Sequence, residues 1–198
     1  AYSLPEMLDM LKPKYEAAKE RAAKESTDER KCGVGLSIGV YGCGLDGPDA
    51  AEAWVELNED DTITVGTSWE DHGQGADMGT LGTAHEALRP LGITPDRMHL
   101  CMNDTSKTPN SGPAGGSRCQ VVVGQAIKAA CETLLGAMRK GDGAYRTFAE
   151  MAEEKIPTKY TGAWTAPGTA CDENGQGSPF MVYMYGVFMA EVGVEVKT

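Results

Sequence analysis

Apolar side chains recur along this chain in two rhythms, and the points where the rhythm changes mark out its elements. Leu4, Leu8, Leu11, Tyr15, Ala18 and Ala22 fall at helical spacing and predict a helix from about residue 4 to 25. Ser3 and Glu6 fit a capping box with Pro5 in the first turn, and Pro13 should kink or split the helix near Lys12. From residue 32 to 43 the rhythm becomes alternation. Val34, Leu36, Ile38 and Val40 face one way; Gly33, Gly35, Ser37, Gly39 and Tyr41 face the other. A strand with so bare a second face should have something packed closely on it. Ala53, Val55 and Leu57 make a second alternating strand, and Ile63, Val65 and Thr67 a third, with a hairpin loop at 58–61 between them.

In the second half, Met78, Leu81, Ala84, His85, Leu88 and Leu91 mark one face of a helix that stops near Arg89-Pro90. A strand at 97–102 and a polar loop at 103–110 follow. Val123, Ile127, Ala130, Cys131, Leu134 and Met138 then trace the stripe of a long amphipathic helix starting from Ser117 and closed by Lys140-Gly141. A shorter helix at 145–154, a strand at 158–164, a loop at 166–179 and an apolar run at 180–196 ending in strand complete the order. Strands and helices mingle without regular βαβ alternation, so the expected class is α+β, a mixed sheet with helices packed on it. The charged run from Lys19 to Arg30 reads as a solvated helix face passing into a linker. The domain reading is therefore a helical segment and linker over 1–30 and an α+β domain over 31–198.

Composition narrows the partners. A chain of 198 residues can bury a core without staples. Its net charge of −11 argues against nucleic acid, whose phosphates are held by clustered Lys and Arg, and against an anionic membrane surface. The six cysteines form no C-x-x-C pair and no His/Cys cluster with zinc or iron–sulfur spacing. They read as reduced thiols, mostly buried. With no leader and no apolar run judged long enough to span a bilayer, a soluble, cytoplasmic chain is expected.

Two glycine-rich stretches carry the candidate chemistry: His72-Gly-Gln-Gly-Ala-Asp-Met-Gly79 and Asn110-Ser-Gly-Pro-Ala-Gly-Gly-Ser-Arg-Cys-Gln120. Each opens a predicted helix. Glycines let the backbone approach a ligand, and a helix start offers unpaired N–H groups, a pairing suited to phosphate or another anion. Arg118 adds a bidentate donor. Neither stretch is a Walker loop or a dinucleotide fingerprint, and each could equally be a structural turn. Glu70 and Asp71 read as an acid/base pair or as caps for loop amides. His85 and His99 read as packed structural histidines. Cys119 would have a lowered pKa if exposed, with burial beneath its own loop the plainer reading. The sequon Asn103-Asp-Thr105 is taken as chance.

The segments Val40-Tyr-Gly-Cys-Gly-Leu-Asp-Gly-Pro-Asp49, Ser68-Trp-Glu-Asp-His-Gly-Gln-Gly-Ala-Asp77, Gly82-Thr-Ala-His-Glu-Ala-Leu-Arg-Pro90 and Thr108-Pro-Asn-Ser-Gly-Pro-Ala-Gly-Gly-Ser-Arg118 resemble the molybdenum-binding subunit of the xanthine oxidase family. The resemblance is nearest to the aldehyde oxidoreductases of sulfate-reducing bacteria and runs nearly the whole chain. It implies a fragment of the molybdenum cofactor-binding domain. It also implies that His72, Gly73, Gln74 and Gly75 line the molybdopterin, and that Ala114, Gly115, Gly116, Ser117 and Arg118 grip the phosphates of its dinucleotide, cytosine in bacterial relatives. Relatives often carry Gln where this chain has Cys119, which leaves Gln120 as a contact. The family's upstream Arg segment, its Gly-Val-Gly-Glu segment with the general-base Glu, and its iron–sulfur domains have no counterpart here. The chain therefore reads as a piece from the middle of a larger subunit, with no catalytic residue and no direct metal ligand of its own. It is expected to be cofactor-free and inactive alone. The implied reaction is oxidation of a small aldehyde or related heterocycle with water as oxygen donor; the implied partners are the remaining domains or subunits, with a homodimer also open. The rival reading is a non-catalytic binding or scaffold module that keeps the loops as turns.

Overall fold

A four-stranded mixed sheet organises residues 43–181 of this computed structural model, which describes residues 2–197. Its strands are β2 (Ala50–Leu57), β3 (Ile63–Thr67), β4 (Met98–Met102) and β5 (Lys159–Thr165), in the order β4-β3-β2-β5. β2 pairs antiparallel with both β3 and β5, while β3 and β4 run parallel. The fold is α+β, as the mingled elements imply. Ala53, Val55, Leu57, Ile63 and Val65 are all buried on one face of the sheet, so the alternation read from the sequence picks out the core side. Register matters most at Gly66, opposite Trp54. A Cβ there would lie 2.0 Å from the Trp54 ring, so only glycine lets that indole lie across the strand.

The long helix packs on this face. It begins with a wide π-helical turn at Cys119–Val123 and continues as α3 (Gly124–Met138). Val123, Ile127, Ala130, Cys131, Leu134 and Met138 are all buried. Contact with β5 is close enough that a Cβ on Gly162 would lie 2.3 Å from Ala126 O and 2.3 Å from Ala130 N. By length and composition the run Cys119–Met138 would suffice to cross a bilayer, contrary to the sequence expectation that nothing here would. Half of it is buried inside the fold, the pattern of a core helix.

α2 (Ala76–Ala87) packs beside α3, but with a different stripe from the one its large apolar residues suggest. Ala76, Thr80, Ala84 and, past its end, Leu88 are buried, and Met78 is exposed. The cause is Trp69. The helix approaches that ring so closely that a Cβ on Gly79 would come within 2.8 Å of it, which turns the small residues inward. The short helix α4 (Phe148–Glu153) has the capping box that was expected at Ser3 and Glu6, built from Thr147 and Glu150.

Residues 2–42 and 182–197 form a separate compact unit of α1 (Leu4–Glu25), β1 (Arg30–Cys43) and β6 (Val182–Glu195). Contacts thus divide the chain at 42/43 and again at 181/182, where the sequence reading drew one line at 30/31. β1 pairs with β6 in a two-stranded sheet, and α1 lies on β6, tied by Arg21 to Glu191 at 2.7 Å and by an edge-on Tyr2–Tyr185 pair. α1 runs through Pro13 as one helix, and Ser3 makes no side-chain cap because its hydroxyl turns to Met7. The glycine face of β1 is covered only in part: Phe188 stands 3.7 Å from a Cβ built on Gly39. Nothing stands within 4 Å of a Cβ built on Gly33 or Gly35, so the close packing expected there is absent.

Candidate functional site

The two glycine stretches meet. His72, Gln74 and Gly75 from the first, and Ala114, Gly115, Ser117 and Gln120 from the second, line one hollow of about 410 Å³ together with Trp69 and Cys119. Seven of the ten residues singled out from sequence therefore share a cavity. Gly73, Gly116 and Arg118 do not line it, and each is engaged elsewhere.

The first loop is closed on itself by a carboxylate. Asp71 Oδ1 accepts from Gly73 N at 2.8 Å and Gly75 N at 3.2 Å, and its Oδ2 accepts from Asp77 N at 3.3 Å. The amides that sequence reasoning offered to an anion are thus taken by the chain's own aspartate, ahead of α2. This is the capping role, and it displaces the acid/base reading of Asp71. What the loop shows to the hollow is side chain: His72, and Gln74 braced through its Nε2 on Glu70 O at 2.9 Å. Backbone donation from Gly73 and then Asp77 holds the Asp71 carboxyl below its ordinary value of 3.8. A depressed value means that the contribution of this cap is complete above 3.8 and is lost as pH falls through the lower folded value. The amide shifts of Gly73 and Gly75 should therefore titrate with a midpoint below pH 3.8 in a ¹H–¹⁵N titration. A midpoint above that value would show that these amides do not hold the carboxylate.

The second loop is held from behind. Gly116 has φ +58°, and a Cβ on it would lie 2.5 Å from Gly44 O, while Gly44 N donates back to Gly116 O at 2.7 Å. Only glycine fits both demands. Ser117 follows at φ +55°, also left-handed. The N–H groups of Ala114, Gly116 and Ser117 have no protein partner among the described residues. This loop, unlike the first, keeps donors free.

Arg118 corrects the sequence reading. It is fully buried, and its guanidinium faces inward. Its Nε donates to both Asp49 oxygens at 2.9 Å, Nη1 to Ser111 O and Pro113 O, and Nη2 to Ala50 O; its backbone N–H goes to Gly115 O. With every donor engaged, its side chain has none to offer a phosphate. It ties the turn before β2 to the loop at 111–118 instead. Cys119 is buried, and burial pushes its thiol up, Arg118 only partly opposing that; the reactive-thiolate reading does not hold. Gln120 reaches Thr83 on α2 at 3.2 Å. His85 has the structural role expected, with its ring nitrogen on Ile93 O, whereas His99 is exposed in β4.

A molybdenum–pterin group is what the resemblance would place here, and the hollow's chemistry fits it. Free backbone donors line one wall. Trp69, which lines the hollow, has its indole Nε1 buried without any partner. No group of three His, Cys, Asp or Glu able to hold a metal occurs among the described residues.

Residues 10–198 match the profile of the molybdopterin cofactor-binding domain. The chain belongs to that family. It is 62% identical to the aldehyde oxidoreductase of Megalodesulfovibrio gigas over its whole length, which is 22% of that protein. The crystal structure of the aldehyde oxidoreductase from Desulfovibrio desulfuricans superposes with a TM-score of 0.92 at 65% identity, covering 99% of this chain and 22% of that one. Xanthine dehydrogenase/oxidase of Felis catus is 24% identical across 93% of the chain and 14% of the relative. This member of the family thus spans about a fifth of the aldehyde oxidoreductases it matches. Sequence reasoning missed Trp69 and Asp49 as organisers of the site, while capping by Asp71 was one of the two roles it offered. Trp69 and Asp71 stand inside one of the family-like motifs, but nothing local signals that Asp49 pairs 69 residues away.

Proposed function

We propose that this chain supplies two loops of a molybdopterin dinucleotide site within a larger, cytoplasmic oxidoreductase acting on small aldehydes. The observation that supports this most is the shared hollow, with its free Ala114 and Ser117 amides. In this reading those amides take the phosphates, with cytosine as the base. His72 and Gln74 stand against the pterin end, and Gln120 closes the wall on the α2 side. Arg118 acts from behind by fixing the loop, not by touching phosphate. When bound, the cofactor supplies two-electron oxidation of the aldehyde with water as oxygen source. This chain orients the cofactor and keeps solvent from it, and no proton-transfer step falls to its residues. The general base, the iron–sulfur centres and the substrate contacts belong to the remaining domains or subunits, and a homodimer is compatible with the reading. Alone, the chain is expected to hold no cofactor and to be inactive.

Molybdenum and pterin analysis of the full-length protein containing this chain tests the reading: about one of each per polypeptide is expected, and neither would refute it. Aldehyde oxidation by the purified 198-residue chain with added cofactor would overturn the assignment of inactivity. The first loop gives one argument for the scaffold alternative, since Asp71 already fills its amides. Full-length protein free of both metal and pterin would favour that alternative.

A further inference from the structure

The unit built from α1, β1 and β6 covers part of one side of its two-stranded ribbon and leaves the other side open. Arg21 and Tyr2 meet Glu191 and Tyr185, odd-numbered positions of β6. Alternation turns the even positions to the far side, where Val182, Met184, Phe188, Val192 and Val194 are between 42% and 65% exposed. The Phe188 ring lies 3.7 Å from a Cβ built on Gly39, which places the glycine positions of β1 on that same side. Past Phe188 the relief drops. Nothing stands within 4 Å of a Cβ on Gly33 or Gly35, and the next residue of β6 on this face is Ala190. The far face therefore carries a ridge of large apolar side chains on one strand and a bare trough on its neighbour.

No Asp or Glu occupies this face, in a chain that has 29 of them. Water-facing strands use such charges, whereas the core of an interface lacks them. A two-stranded ribbon is also too thin to be stable in water and needs a further layer. The layer that fits is neutral, apolar and of inverse relief. A two-fold rotation supplies one from the protein itself, because each copy's Phe188 ridge then drops into the other's trough at Gly33 and Gly35, the self-matching geometry of an isologous contact. The strands have 14 residues each. At about 3.3 Å per residue, and with strands about 4.8 Å apart, stacking two such faces buries on the order of 1,000 Å², the least that a specific interface requires. We propose that this face is a homodimer interface, occupied by the same face of a second copy of the protein. The pairing does not depend on what fills the hollow.

The test is sedimentation equilibrium of the full-length protein containing this chain, with wild type expected at twice the mass of one polypeptide. Phe188→Asp, which sets a carboxylate into both halves of the contact, should weaken the dimer about a hundredfold or more. Gly35→Leu separates fit from stickiness. No neighbour obstructs a Cβ at that position, so the strand tolerates the change, and the leucine adds apolar surface while filling the trough. It should weaken the dimer about tenfold. Ile38→Ser, at an exposed position on the opposite face of β1, should leave the dimer unchanged. Wild type sedimenting as a monomer would overturn the proposal, as would a parental dissociation constant in either Phe188→Asp or Gly35→Leu. A tighter dimer in Gly35→Leu would overturn it too, since simple stickiness grows with apolar area. Phe188→Asp with a lowered melting temperature and an intact dimer would show the face covered within one polypeptide, and would likewise refute the pairing.

Discussion

Replacing Arg118 with methionine should remove most of the stability of residues 43–181. The side chain is fully buried, and Asp49 lies 2.8 Å from Nη2 with 2% of its side chain exposed. Removing one partner of such a pair strands the other charge, at a cost of roughly 3–5 kcal/mol. Ser111 O, Pro113 O and Ala50 O lose their donor as well, and each buried orphan adds about 1–3 kcal/mol. Against a total of about 5–15 kcal/mol for an ordinary domain, this should abolish a cooperative urea transition. Adding Asp49→Leu should recover only part of the loss, because it cancels the stranded charge and leaves the carbonyls bare. An Arg118→Met chain unfolding within about 1 kcal/mol of the parent, well under the cost of a stranded charge, would show that the pair does not organise this region.

Gly162→Ala should also destabilise this unit, by less and through sterics alone. The new methyl would lie 2.3 Å from backbone atoms of both Ala126 and Ala130. Neither is the end of a flexible side chain, so α3 itself must move off β5. Overpacking of a core typically costs about 1–3 kcal/mol, and more where backbone must shift. A fall in melting temperature of roughly 6–12 °C is expected for a unit of this size. A melting temperature within about 2 °C of the parent, which is less than 1 kcal/mol by the same scale, would mean that the helix and strand are less closely seated than the structure has them.

Elements whose burial is carried by large apolar residues were legible from sequence. The α3 stripe from Val123 to Met138 and the alternation in β2 and β3 coincide with the core because large side chains such as Ile127, Leu134, Val55, Leu57, Ile63 and Val65 dominate their periodic positions. The α2 stripe was not legible. Its inward residues are Ala76, Thr80 and Ala84, too small to outweigh Met78 in any hydrophobic pattern, and the reason they point inward is a tryptophan outside the helix. At the site, the meeting of the two loops follows from glycine content and from helices opening after each. The division of labour between them does not. It depends on Asp71 reaching forward to its own loop and on Asp49 and Arg118 meeting across 69 positions. An arginine beside two glycines looks alike in sequence whether it faces a ligand or the core. Alternation in β1 correctly separated an apolar from a glycine face, but alternation carries no information on whether either face is covered.

The wide turn at Cys119–Val123 accommodates one residue more than an ordinary helical turn, just where the helix leaves the hollow. Excising half-buried Val121 would let the backbone wind evenly into α3, with regular bonding throughout. It would also swing Cys119 and Gln120 about 100° around the axis and drag the Gly115–Ser117 amides after them. The shortened protein would be the sturdier of the two and the poorer host, since the irregularity that weakens the helix is what aims its first residues at the cavity.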